Sequence, residues 1–188
     1  VSIFLNSDEI REIRHKISLL KPIKNYKLDQ ETNVVESDRE RIFDAYFSPE
    51  CFAVLNEVNK DQVIDSLLQR MSQGEDEQFV TQMKDLIEQR EEMSSIVFSD
   101  TVAVPHPIKA YAKGHKIGVA LVPEGVVWSP EYPKIKLVFL PSPSVFGNED
   151  LSNLTSKIIL LLEQEELQEQ MINCQTFTDF KKLFLRIR

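Results

Sequence analysis

The chain has 188 residues, 42% of them hydrophobic and 28% charged, with a formal net charge of −8. That length and balance describe a globular domain with a core rather than a disordered chain. The negative excess argues against a nucleic-acid-binding surface, which draws its affinity from Lys and Arg, and no apolar run reaches the ~18 residues a membrane helix needs.

Ser7, followed by Asp8 and Glu9, reads as the cap of a predicted helix whose Ile10, Ile13, Ile17 and Leu20 recur at helical spacing, with Pro22 as its expected stop. From Lys21 to Ser37 the chain is polar and aperiodic and reads as a linker. Residues 1–20 then belong to whatever precedes this domain. Because the first residue is Val, the chain is expected to be a piece of a larger protein. The opening Val1-Ser2-Ile3-Phe4-Leu5 is too brief for a signal peptide. A short helix is expected over Arg39–Phe47, with Ile42, Phe43 and Tyr46 sharing a face. Asn59 and Gln62 have the spacing of a capping box. Val63, Ile64, Leu67, Leu68 and Met71 follow at helical spacing as far as Gly74. A second amphipathic helix is predicted from Glu75 to Met93, with Phe79, Met83, Leu86 and Ile87 inward.

Beyond Ser95 the texture changes to strands. Ile96–Phe98 and Val102–Val104 are short candidates. Lys116–Val122 and Ile135–Leu140 are stronger, being β-branched and bounded by Gly or Pro. The turn-rich Pro123–Pro133 between them holds Trp128. Leu154–Met171 and Phe177–Ile187 are helical by period, and the Glu163–Gln170 stretch reads as a solvated helix face. Strands and helices interleave, which gives an α/β class with a mixed sheet flanked by helices. Cys51 and Cys174 lie far apart without a Cys-x-x-Cys, so reduced, buried thiols in a cytoplasmic protein are expected.

Of the three histidines, His15 and His115 stand among basic residues and read as surface groups. Their scatter disfavours a metal site. His106 differs. It follows a short apolar strand in Val102-Ala103-Val104-Pro105-His106-Pro107, where prolines on both sides fix the backbone and end the strand. The ring is therefore expected at the surface, on a stiff turn at a strand end, where sites in α/β sheets gather. Neither a Gly-x-Ser-x-Gly elbow nor a Gly-rich phosphate loop accompanies it. A neutral imidazole acting as its own nucleophile is the remaining chemistry, and it needs no cofactor.

Arg90-Glu91-Glu92, in ungapped register with Val102-Ala103-Val104-Pro105-His106, resembles a known family. So do Ile117-Gly118-Val119-Ala120-Leu121, then Trp128, then Leu137-Val138-Phe139-Leu140. The resemblance, over roughly residues 40–188, is to the enzyme IIA domain of the fructose–mannitol type of the bacterial sugar phosphotransferase system. It implies that His106 accepts a phosphoryl group from the phosphocarrier protein HPr, with Arg90 countering the phosphoryl charge. A IIB domain, in cis or in trans, is the second implied partner. Pro107 and Phe98 are closer to the IIA-like domains at the C-terminus of BglG-like transcriptional regulators. The opening residues look similar to the end of the IIB-like module that precedes IIA there. The implied organisation is a IIB-like end at 1–20, a linker at 21–37 and a IIA-like phosphohistidine domain at 38–188.

Some positions depart from the family's pattern. Ile96 replaces a usual Thr, Ser99 and Thr101 replace frequent Gly, and Asp150 falls where the family has its second active-site histidine. An acid at that position points to a regulatory domain that reports sugar supply. A transport IIA passing phosphate to a IIB is the alternative reading, and a degenerate partner-binding domain is a third.

Overall fold

The computed structural model describes residues 32–56 and 58–188. In chain order its elements are α1 (Thr32–Tyr46), a 3-10 turn (Pro49–Cys51), β1 (Phe52–Val54), α2 (Lys60–Met71), α3 (Phe79–Met93), β2 (Val102–Ala103), β3 (Lys116–Val126), β4 (Ile135–Ser142), α4 (Leu151–Leu161), α5 (Glu165–Asn173) and α6 (Phe177–Phe184). The sheet order is β1-β3-β4-β2. The long central pair β3 and β4 is antiparallel, whereas each short outer strand runs parallel to its neighbour.

Strand alternation divides the core into two layers, because successive side chains point to opposite faces of a sheet. Val102 and Val104, Ile117, Val119 and Leu121, and Leu137 and Phe139 face an aromatic layer with Phe43, Phe47, Phe180 and Phe184. This layer carries α1, α4, α5 and α6. Ala103, Ala120, Val122, Val138 and Leu140 face the other way, onto Leu67, Met71, Met83 and Ile87 of α2 and α3. Small residues on this second face let α2 approach closely: a Cβ at Gly118 would lie 2.7 Å from Met71 Sδ and 3.4 Å from Leu67.

The expected mixed sheet flanked by helices is what forms. The capping box is present, with Asn59 accepting from the Gln62 backbone and Gln62 from that of Asn59. Trp128 is buried, and both cysteines are free thiols, Cys51 buried as expected but Cys174 only partly so. Several expectations need correction. The first helix of the domain begins at Thr32, inside the stretch read as linker, rather than near Arg39. The expected helix over Ser7–Leu20, with His15, lies outside the described residues. Strand β1 was not anticipated. The helix expected over Leu154–Met171 is two helices, because the backbone leaves the helical region at Gln164. Gln168, expected on a solvated face, is buried, and its amide donates to the carbonyls of Leu161 and Leu162 at the end of α4. Those terminal carbonyls otherwise lack helical partners.

Candidate functional site

Strand β2 runs out into Val104, Pro105 and His106. Neither proline can donate to a ladder, so the chain leaves the sheet here. It does not turn outward to water. The Ile108 N–H donates to the Leu86 carbonyl in the middle of α3 at 3.0 Å, which draws the turn beneath that helix. His106 is consequently only 1% exposed, and both prolines are buried with it. The expectation of a solvent-presented imidazole is therefore corrected. The flanking prolines do fix the turn, but its capture by α3 recesses the ring.

Two features define the state of that ring. Nδ1 lies 2.7 Å from the Val104 carbonyl oxygen. A carbonyl can only accept, so Nδ1 carries the proton, and in the neutral ring Nε2 carries the in-plane lone pair. Burial pushes the imidazole's pKa down to about 4, and the nearby Arg90 charge pushes in the same direction, outweighing the Val104 bond that favours the cation. With its pKa lowered to about 4, the ring is uncharged at neutral pH, with its lone pair on Nε2.

Arg90 projects from the inner face of α3's last turn and is 6% exposed. Its Nη1 donates to Ser94, at 2.6 Å to Oγ and 3.2 Å to the carbonyl oxygen. Ser94 is the C-cap residue of α3, in extended conformation, so helix termination itself aims the guanidinium. Of the two residues singled out by sequence register, Arg90 lies close enough to His106 for its charge to act on the imidazole. Nearby, Lys60 pairs with Glu91 at 2.6 Å, tying the start of α2 to the end of α3.

Asp150 stands at the N-terminus of α4. Its neighbour there is Tyr46, whose phenol is held above its ordinary pKa, chiefly by burial, with the Asp150 and Glu149 charges adding to the effect. His115, expected at the surface, is half-buried, with its ring stacked on Tyr46 at 4.2 Å between centroids. Of the departures noted in sequence, Ile96 is fully buried and its carbonyl accepts the Val104 N–H at 2.8 Å. Ser99 and Thr101 make the turn ahead of β2, where Ser99 Oγ accepts the Val102 N–H at 3.1 Å. Sequence reasoning missed the Ser94 tether, though its i+4 spacing from Arg90 placed the two on one helix face. Nothing in the sequence marked the Tyr46–His115 stack. Two surface grooves of about 520 and 570 Å³ lie elsewhere and include neither His106 nor Arg90 in their walls.

The domain is a mixed four-stranded sheet between helical layers, with a buried imidazole just past a short strand and a buried guanidinium on the last turn of α3. Residues 45–187 match the family described as the phosphoenolpyruvate-dependent sugar phosphotransferase system, EIIA 2, and the chain belongs to it. Solved structures share the fold at low identity. The nitrogen regulatory protein IIA-Ntr from Neisseria meningitidis superposes with a TM-score of 0.62 at 14% identity, over 73% of this chain and 95% of that one. IIA mannitol from Escherichia coli gives 0.58 at 17%, over 73% and 97%. A complex of enzyme IIA mannitol with phosphorylated enzyme IIB mannitol from the same organism gives 0.55 at 16%, also over 73% and 97%. No curated protein sequence is similar enough to count as a match.

Proposed function

We propose that His106 is the phosphoryl acceptor of this domain and that Arg90 stabilises the transferring group. The observation that carries the reading is the 2.7 Å bond from Nδ1 to the Val104 carbonyl in an uncharged, recessed ring. It leaves Nε2 as the attacking atom. The Nε2 lone pair forms the new N–P bond while the donor's bond to phosphorus breaks, and the donor's leaving atom retains that electron pair. Positive charge developing on the imidazole is met by the Val104 carbonyl. The equatorial phosphoryl oxygens need a fixed cation with several donors, which Arg90 supplies.

The phosphorylated form of HPr is the donor implied by the family, in the cytoplasm. Incubation with phosphoenolpyruvate, enzyme I and HPr should give an acid-labile label on the chain, with phosphorus coupled to Nε2 by NMR. Loss of the label in His106→Ala is expected, and label undiminished in that variant would overturn the proposal.

Within this reading, the domain serves a transcriptional regulator rather than a sugar transporter. Asp150, which the resemblance places where the family has its second histidine, supports that choice, because a carboxylate there would repel a phosphoryl group instead of sharing it. Little sugar phosphorylation should therefore be restored when the chain is added to an extract lacking a IIA. Full restoration would favour transport.

A further inference from the structure

Parallel strands β2 and β4 leave the sheet at one edge, β2 toward His106 and β4 toward Ser142 and the loop 143–150. Antiparallel β3 begins at that same edge, with Lys116 opposite Ser142. The segment leaving His106 and the loop leaving β4 are then stitched together. Ala112 and Ser144 form a parallel bridge, the Val145 N–H donates to the Ala112 carbonyl at 2.9 Å, and Ser144 Oγ–H donates to the Lys113 carbonyl at 2.7 Å. The loop is also locked within itself. Asn148 accepts from the Ser144 N–H and donates to the Ser144 carbonyl, both at 2.7 Å, and the Phe146 N–H donates to Ser144 Oγ at 3.0 Å.

All this hydrogen bonding holds out two apolar side chains. Phe146 is 84% exposed and Val145 53%. An aromatic ring left in water on a braced loop forgoes most of its burial energy, and such rings are the usual anchors of protein interfaces. Since His106 is recessed, a macromolecular donor must seat itself closely to deliver a phosphoryl group. The strand order brings this loop to the same end of the sheet as His106.

We infer that Val145 and Phe146 are the docking anchor for the protein that phosphorylates His106. The surface that fits them is an apolar socket ringed by basic side chains, because Phe146 is followed by Glu149 and Asp150 and the chain's net charge is −8. The inference rests on His106 being the acceptor, and the test separates the two. Phosphorylation is measured with phosphorylated HPr and, in parallel, with phosphoramidate, a small donor that needs no docking surface. In Phe146→Ser the KM for phosphorylated HPr should rise about tenfold with kcat held, as for a hot-spot aromatic, and added salt should slow the wild-type reaction. The phosphoramidate rate should not change. Phe146→Leu should recover part of the loss. Val127→Ser, at the far end of β3 and 63% exposed in the native chain, should match wild type. An unchanged KM in Phe146→Ser would overturn the anchor while leaving the acceptor intact. Failure of both donors to label the wild-type chain would remove the acceptor reading itself.

Discussion

The Arg90 guanidinium has two separable effects on His106, and substituting it exposes both. In the proposed reaction it would supply charge and donors to a bound phosphoryl group, and it helps hold the imidazole pKa down at about 4. Arg90→Gln should therefore slow phosphorylation by about 10²-fold, the usual loss when one charge-stabilising donor is removed. It should also raise the His106 titration midpoint, followed by NMR of the ring carbons, although burial, the larger cause, remains. Arg90→Lys keeps the charge but loses the planar fork that reaches Ser94, and should fall between the two. Both side chains were legible in sequence, Arg90 by its ungapped register with His106 and His106 by its prolines. The depth of the ring was not. Prolines dictate where a backbone turns, whereas burial depended on the Leu86 carbonyl capturing Ile108, a contact no local pattern encodes.

At the scale of elements, α2 packs closely on β3, and Gly118 is the reason. Gly118→Val should destabilise the fold by about 1–3 kcal/mol, as overpacking does, seen as a lower urea midpoint with an unchanged slope. Gly118→Ala should cost less, because the nearest atom, Met71 Sδ at 2.7 Å, belongs to a flexible side chain. Helices α2 and α3 could be read from sequence because each carries a sustained 3.6-residue apolar stripe, and α2 a complete capping box as well. Strand β1 escaped notice because it has three residues, too few to show a period, and exists by pairing with β3 rather than by its own propensity. The break between α4 and α5 was hidden for a different reason. Apolar residues keep helical spacing across Glu163 and Gln164, and the interruption is stabilised by Gln168, a polar residue whose burial a hydrophobic pattern cannot reveal.

At the scale of the whole molecule, the buried imidazole links folding to pH. Its folded-state pKa of about 4 lies below the ordinary 6.5. Between those values the unfolded chain binds a proton that the folded chain refuses. Stability should therefore fall as pH drops through that window, by on the order of 3 kcal/mol from this group, and level off below it. Urea midpoints at pH 7, 5.5 and 4.5 should show this slope in the wild type but not in His106→Gln, the difference removing the contribution of other titrating groups. The arrangement of strands has a colloidal consequence. Long β3 and β4 lie in the interior of the sheet, while its borders are the three residues of β1 and the two of β2, with Val97 bridged to Ala103 along the latter. Among the described residues, the two border strands are thus too short to offer a long template for another molecule to extend, and the surplus of carboxylates repels approaching copies. Concentrated samples should resist fibril growth from this sheet.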